Sequence, residues 1–323
     1  MSVLKNNYYR IKSKKYYLMI SIAMTMISIF SAVYFQAKFQ VKGSIAVVTK
    51  NDNTVFQSDY FTFTTLDKKL SRYQLVVGKY DGEIIEKSDG EFEIVTIKND
   101  DFKKILEEIV KKPHGYTPPL QDTRGIGTNI LGYLTLFILL QCVLFMFMLA
   151  EDMEQKQIER IAVAPISLFS YILSHFFFSF SLIFSPAFFI LAVMKGFGFP
   201  IGFSLWQYAL LLALLCMLGI AFSMFLISLL KVSDSANMIG SSIVVLTTIL
   251  SGSFYSFEKG NKMLEKIIWA LPQKDYLSFV QGLESGKAVS AMIPQLSYCL
   301  VILLAFFTFS VIKIKSDYVL RKD

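Results

Sequence analysis

The feature that most constrains the fold of this chain is a set of six long segments that contain no acidic residue, no lysine and no arginine. They are residues 16–37, 125–150, 161–194, 196–230, 235–257 and 288–312. About 20 apolar residues cross the hydrocarbon core of a bilayer as a helix, so each segment is long enough to span it. A charged side chain at the centre of a spanning helix costs about 2.5 to 3.5 kcal/mol on insertion scales. The six segments therefore predict an α-helical integral membrane protein with six transmembrane helices.

We place the six transmembrane helices at 16–37, 127–150, 165–194, 204–230, 236–256 and 291–312. The first span follows a basic segment at 1–15, but it is long for a signal peptide and lacks a small-residue cleavage site, so we interpret it as a retained anchor. The short segments assigned to the cytoplasm, including a tail at 313–323, hold twelve lysines and arginines, and those assigned outside hold six. This bias predicts that both termini are cytoplasmic.

The segment between the first two spans, residues 38–126, predicts a small extracellular α/β domain. Its β-rich runs lie at 44–49, 73–80, 83–87 and 91–97, with Asp-Gly turns between some of them. An amphipathic helix follows, started by Asn99 or Asp100, with apolar residues from Phe102 to Val110 on one face. A second outside region, 257–290, predicts a helical hairpin that is either re-entrant or lies on the membrane surface.

Charge and cysteine content exclude several classes of function. The segment 38–126 holds 14 basic and 14 acidic residues, so the formal net charge of +7 resides in the membrane part. Cytoplasmic lysines and arginines there face anionic lipid, and we predict no nucleic-acid partner. The three cysteines all fall inside predicted spans, which argues against a disulfide framework and a cysteine metal motif.

A charged stretch, EDMEQKQIERIAVAPIS at 151–167, separates the second and third spans. Its periodicity predicts one cytoplasmic amphipathic helix over 151–164, in which Asp152, Gln155, Lys156 and Glu159 share a face and Asp152 pairs with Lys156. Such a helix either lies along the inner membrane surface or binds a protein. Acids outnumber bases on it, which favours a protein partner over anionic lipid.

The order of these parts resembles the ABC-2-type permease (type V exporter) of ATP-binding-cassette transporters: one span, a large outer domain, then five spans. In that family the segment after the second span resembles E-D/K-x-E, Gly-Thr, x-x-Arg-hydrophobic and small-Pro-hydrophobic-Ser. The matching residues here are Glu151, Asp152, Glu154, Arg160, Pro165, Ile166 and Ser167. Lys156-Gln157 stands where Gly-Thr is usual. Gly252, Phe254 and Tyr255 resemble the family's Gly-aromatic motif, without the proline that usually follows.

The resemblance implies the permease subunit of an exporter. The size of the outer domain favours an amphipathic substrate, such as a peptide or a drug-like molecule, and the composition, rich in Lys, Ile, Asn and Phe, suggests the plasma membrane of a bacterium. Two separate ATPase subunits would dock on the coupling helix at 151–164 through Glu151, Asp152, Glu154, Arg160 and Pro165. A second permease subunit would complete the pathway as a homodimer or heterodimer. The sequence contains no G-x-x-x-x-G-K-[ST], so ATP and Mg²⁺ would bind the partner, and we expect no cofactor and no enzyme activity in this chain.

Candidate residues of the substrate pathway are Gln141, His175, Phe254 and Tyr255. For Gln141 and His175, a hydrogen bond between helices is the alternative. The sequence lacks H-E-x-x-H and G-x-S-x-G, which leaves an intramembrane enzyme as the least supported function. A membrane sensor or receptor with an extracellular ligand-binding domain is the main alternative to the permease. A stably bound ATPase would separate the permease from both.

Overall fold

The computed structural model describes residues 2–39, 43–49, 56, 61–66, 68–86, 92–97, 100–111, 125–163, 167–254 and 262–318. The chain divides into two compact units, one of residues 1–33 and 124–323 and the other of residues 34–123. In chain order the helices are α1 (Ser2–Ser13), α2 (Lys15–Phe39), α3 (Arg72–Val76), α4 (Asp100–Lys111), α5 (Ile126–Phe145), α6 (Phe147–Glu154), α7 (Gln157–Ala162), α8 (Leu168–Gly196), α9 (Leu205–Leu230), α10 (Ser233–Leu250), α11 (Lys262–Trp269), α12 (Pro272–Glu284) and α13 (Ile293–Tyr318). The strands are β1 (Gly43–Val48), β2 (Phe61–Leu66), β3 (Gly82–Glu86) and β4 (Phe92–Val95).

Five helical segments within the described residues are long and apolar enough to cross a membrane. They are Lys15–Tyr34, Ile126–Glu154, Leu168–Gly196, Leu205–Leu230 and Val289–Tyr318. The second, built from α5 and α6, and the fourth, α9, are each 72% buried over their most apolar window, whereas the other three are 22 to 28% buried. The helices α5 to α6 and α9 therefore form the centre of the larger unit.

Close packing at this centre depends on a small residue. A Cβ atom added to Gly219 of α9 would lie 2.7 Å from the Sγ of Cys142 on α5. Because van der Waals packing between helices drives their association in lipid, small residues at such contacts let the two backbones approach. Gly219 thus sets the separation of the two central helices.

The predicted span at 236–256 corresponds to α10, which is not among the five long apolar segments. Its first turns carry Ser233, Asp234 and Asn237, which lower its hydropathy, and it ends at Leu250 before Gly252, whose φ is +80°. The count of six transmembrane helices is therefore not confirmed. Gly240 packs α10 against α5, since a Cβ added there would meet Cγ1 of Val143 at 2.9 Å.

The smaller unit is a four-stranded sheet with the strand order β2-β1-β3-β4. Strand β1 pairs in parallel with β2 and with β3, and β4 pairs antiparallel with β3. The amphipathic helix α4 packs on one face of the sheet, with Phe102, Leu106 and Ile109 against Ile45, Val47 and Ile84. On the other face, Leu75 of the short helix α3 packs with Ala46 and Tyr80.

Two features of this unit differ from the sequence prediction. The run at 73–80 is predicted as a strand, but its first half belongs to α3. The helix forms because Ser71 precedes it and the Oε1 of Gln74 accepts a hydrogen bond from the Ser71 amide at 3.4 Å. This Ser-x-x-Gln arrangement starts a helix despite the β-branched residues that follow. Strand β2 is absent from the prediction, although its alternating Phe-Thr pattern has the period of a strand. Asn99, a candidate N-cap of α4, lies outside the described residues.

Candidate functional site

The charged stretch after the second span forms two helices rather than the single helix predicted over 151–164. Helix α6 ends at Glu154, and α7 begins at Gln157. Between them Lys156 has φ 55° and ψ 27°, in the left-handed region that favours glycine. The periodicity argument fails here because a left-handed residue reorients the helix axis, so that the faces of α6 and α7 are no longer continuous.

The first two acids of this stretch face the N-terminal helix. Nη1 of Arg10 donates to Oδ1 of Asp152 at 2.8 Å, and its Nη2 donates to Oε2 of Glu151 at 2.8 Å. Nζ of Lys14, at the joint between α1 and α2, donates to Oε1 of Glu151 at 2.6 Å. The predicted Asp152–Lys156 pair is therefore replaced by a pair with Arg10, which reaches across from α1.

Asp152 also contacts α8, through Tyr171 and His175. The side chain of Asp152 is 6% exposed, and its Oδ2 accepts a hydrogen bond from the hydroxyl of Tyr171. Nε2 of His175 lies 3.2 Å from the same oxygen. Nδ1 of His175 lies 3.3 Å from Nδ2 of Asn7 on α1. A buried carboxylate thus has an arginine, a tyrosine and a histidine as neighbours.

The third acid connects α6 to a further helix. Oε1 of Glu154 accepts a hydrogen bond from the backbone amide of Ser233, the first residue of α10, at 2.5 Å. An amide in the first turn of a helix has no partner within that helix, and a carboxylate there also interacts favourably with the helix dipole. Glu151, Asp152 and Glu154 therefore tie α6 to α1, α8 and α10. We refer to them as the three-acid anchor.

Helix α7 presents the opposite situation. Ile158 is fully buried, while Glu159 and Arg160 are exposed and Val163, just after the helix, is 89% exposed. Lys156 at the break is also exposed. We call Lys156, Glu159, Arg160 and Val163 the α7 surface. Of the residues that the resemblance assigns to coupling, Arg160 lies on this surface, and Pro165 lies outside the described residues.

The four candidate pathway residues contact different sets of neighbours and are not brought into one site. Oε1 of Gln141 accepts from the Ser21 hydroxyl at 2.6 Å, and Nε2 of Gln141 donates to Oγ1 of Thr25 at 3.2 Å, so Gln141 bonds α5 to α2. The ring of Phe254 lies edge-on to Tyr133 with 4.9 Å between centroids. Tyr255 lies outside the described residues. His175 belongs to the surroundings of Asp152.

The residues that sequence reasoning misses are those contributed by other helices, chiefly Arg10, Lys14 and Tyr171. One signal was present for two of them. Arg10 and Lys14 immediately precede a predicted span, and Glu151 and Asp152 immediately follow another, so charges of opposite sign are predicted at the same membrane boundary. No such signal distinguishes Tyr171 among the 16 tyrosines of the chain.

A model of the family described as "ABC-2 family transporter protein" matches residues 14–312. The matched range includes Lys14, the three-acid anchor and the α7 surface, whereas Arg10 and the rest of α1 precede it. No curated protein and no solved structure matches the chain.

Proposed function

Because the chain belongs to the ABC-2 family of transporter proteins and is therefore a membrane component of ATP-binding-cassette transport, we propose that it is the permease subunit of an exporter. Permeases of this family generally work with ATPase subunits. In our proposal two ATPase subunits and a second permease subunit complete the exporter, and the substrate is an amphipathic peptide or drug-like molecule. ATP and Mg²⁺ bind the ATPase, and this chain has no enzyme activity of its own.

The single observation that carries this proposal is the contrast between the two sides of the segment 151–163. The three-acid anchor holds α6 to three other helices, while the α7 surface has no partner among the described residues. A surface of mixed charge with one exposed valine suits docking of a protein, since charged rim residues orient a partner and apolar contacts stabilise it. We therefore assign ATPase docking to Lys156, Glu159, Arg160 and Val163, and assign transmission of the movement to Glu151, Asp152 and Glu154.

The proposed mechanism follows from these connections. ATP binding closes the ATPase pair and displaces α7, which follows α6 after only two residues. Because α6 is anchored to α1, α8 and α10, a displacement of this segment moves those helices rather than deforming a flexible linker. Such a rigid-body movement shifts the equilibrium between inward-open and outward-open states, provided that ATP binding favours one of them.

Helix α10 is a candidate wall of the pathway. It exposes Asn237 and Ser242 together with Met238 and Leu246 in the isolated chain. Within α10, Oδ1 of Asn237 accepts a hydrogen bond from the Ser241 hydroxyl at 3.3 Å, and the Ser242 hydroxyl donates to the Met238 carbonyl at 2.9 Å. Polar side chains in a spanning segment rarely face lipid, and an exposed amide such as that of Asn237 is better solvated by a partner or a water-filled cavity. We propose that α10 is the sixth transmembrane helix and that this face lines the pathway. The pathway roles of Gln141, His175, Phe254 and Tyr255 stay predictions.

The proposed orientation places both termini in the cytoplasm of a bacterium and residues 38–126 outside the cell. The twofold excess of lysine and arginine in the assigned cytoplasmic segments supports it. In this orientation the α7 surface faces the cytoplasm, where an ATPase has access to ATP.

Charge reversal on the α7 surface tests the proposal. The tagged chain is purified from its native membranes in mild detergent, and vanadate-sensitive ATP hydrolysis of the eluate is measured. We expect an ATPase to co-purify with the wild-type chain. The eluate of Glu159→Lys/Arg160→Glu should hydrolyse ATP at least tenfold more slowly than the wild-type eluate. The control variant Lys103→Glu/Glu107→Lys reverses two exposed charges on α4 and should retain the ATPase. An eluate of the wild-type chain without an ATPase would overturn the proposal and favour the sensor or receptor.

A further inference from the structure

The unit of residues 34–123 has an open groove of about 360 Å³ that the transport proposal does not use. Its lining includes three lysines, two leucines and a tyrosine: Lys68, Lys69, Lys79, Leu66, Leu70 and Tyr80. Among the described residues, the two faces of the sheet are covered unequally. Helix α4 covers one face with twelve residues, whereas α3 has five residues for the other.

After α3 the chain reverses its direction, which brings Lys79 into the groove that Lys68 and Lys69 also line. Gly78 adopts φ +75°, its amide donates to the Leu75 carbonyl at 3.1 Å, and the Lys79 amide donates to the Gln74 carbonyl at 3.1 Å. This pair of bonds is the Schellman ending of a helix, which reverses the chain direction. The Nζ of Lys79 lies 5.9 Å from the centre of the Tyr80 ring. Lys68 and Lys69 reach the same groove from the end of β2.

The three ammonium groups are not neutralised within the described part of the chain, where no acid lies within ion-pair distance of them. The nearest buried acid, Glu83, is 1% exposed, and its Oε1 is occupied by the Leu70 amide at 2.6 Å. The segment 38–126 has equal numbers of acidic and basic residues. Asp67, between Leu66 and Lys68, lies outside the described residues. The described lining of the groove therefore carries three cations and no acid, and charge complementarity favours an anion.

We propose that this groove binds a phosphate monoester that carries a short apolar substituent. Lysine ammonium groups are common phosphate ligands, and three of them can balance a dianion with one charge to spare. Leu66, Leu70 and the Tyr80 ring provide an apolar floor for the substituent. A volume of about 360 Å³ lies within the range of small-molecule sites, about 300 to 1,000 Å³. This site is independent of ATPase docking.

Calorimetric titration of the full-length chain in a non-ionic detergent tests the site, with hexyl phosphate as the probe. We expect saturable binding to the wild-type chain and at least tenfold weaker binding to Lys68→Gln/Lys79→Gln. The matched control Lys103→Gln/Lys111→Gln removes two exposed charges from α4, on the opposite face of the sheet, and should bind as the wild type does. Binding should also weaken as salt increases, because the contacts are ionic and exposed.

Three further probes complete the experiment. Inorganic phosphate should bind more weakly than hexyl phosphate, and hexanol should not bind saturably. Dihexanoyl phosphatidic acid distinguishes the two sources of the phosphate: binding tenfold tighter than that of hexyl phosphate assigns the groove to a lipid headgroup, and equal or weaker binding assigns it to a soluble ester. The proposal is overturned if hexyl phosphate does not bind saturably, if hexanol binds equally well, or if both double variants lose the same affinity.

Discussion

Arg10 and Asp152, which are 142 residues apart in the chain, are joined by a hydrogen bond of 2.8 Å between a guanidinium that is 19% exposed and a carboxylate that is 6% exposed. The pair connects the N-terminal helix to the last turn of the central span. Its burial makes it more consequential than a surface ion pair, because a charge left alone in such a site loses its water as well as its partner.

Replacing Arg10 should destabilise the larger unit. We expect Arg10→Met to lower its free energy of unfolding by about 3 kcal/mol, since it leaves the buried Asp152 without its cation. Adding Asp152→Asn should recover part of this loss, because the uncompensated charge is then removed. Thermal unfolding in detergent measures the effect, and Lys12→Met, an exposed cation on the same helix, is the control. Equal midpoints for Arg10→Met and Lys12→Met would show that the pair contributes nothing.

A second carboxylate, that of Glu284, binds the start of the central span formed by α5 and α6. Oε1 and Oε2 of Glu284 accept hydrogen bonds from the amides of Gly127 and Thr128 at 2.7 and 2.8 Å, in the first turn of α5. Gly127 is required there, because an added Cβ would lie 2.4 Å from the Phe203 ring. The carboxylate thus satisfies two amides that have no partner in their own helix.

Glu284→Ala should expose these two amides to exchange. Hydrogen bonds to a charged group contribute about 1.5 to 3 kcal/mol, so we expect at least about tenfold faster deuterium uptake in a peptide covering 125–131. Lys287→Ala, an exposed residue nearby, should leave that uptake unchanged. Unaltered uptake in Glu284→Ala would mean that other contacts hold the start of α5.

Because the backbone at Lys156 is left-handed, we predict that glycine at this position makes the protein more stable than alanine does. A residue with a Cβ in the left-handed region costs about 1 to 2 kcal/mol, while glycine costs about 0.5 to 1 kcal/mol in conformational entropy. Lys156→Gly should therefore raise the thermal midpoint by about 2 °C relative to Lys156→Ala, which also removes the charge but keeps the Cβ. If the two variants unfold at the same temperature, the left-handed conformation carries no strain.

The break at Lys156 also shows what sequence reasoning can and cannot reach here. Hydrophobic periodicity assumes one continuous helix, so it missed the break. The family pattern has a glycine at the position of Lys156, and glycine is the residue that most readily adopts the left-handed backbone found there. Of the six spans that the long apolar segments predicted, the structure confirms five as candidates, because length and hydropathy are properties of each segment alone. The neighbours of Asp152 were not predictable in the same way, since they depend on how α1, α6 and α8 pack together.

In the smaller unit, local sequence signals determined which elements could be predicted. The spacing of apolar residues in α4 predicted both the helix and its buried face. The β-branched residues after Ser71 misled the prediction, because the capping residues and Gly78 determine the conformation of such a short segment. Strand propensity is a weak guide where packing and capping oppose it.

Accessibility of α10 tests the proposed pathway. Cys142, Cys216 and Cys299 are all buried, so a cysteine introduced at the surface can be labelled selectively. Val301 is 61% exposed on α13, and we expect this apolar side chain to face lipid. Ser242→Cys should therefore react with a membrane-impermeant cationic thiol reagent several-fold faster than Val301→Cys. Equal rates, or protection of Ser242→Cys, would contradict a water-filled pathway along this face.

The most direct measurement of ATPase docking is photo-crosslinking from Val163. This residue is 89% exposed at the end of the α7 surface. With p-benzoylphenylalanine at position 163, illumination of native membranes should produce an adduct between this chain and a protein that contains a P-loop, identified by mass spectrometry. The same group at Tyr73, 73% exposed on α3, should produce no such adduct. An ATPase that co-purifies with the chain but crosslinks from position 73 and not from position 163 would contradict docking on the α7 surface.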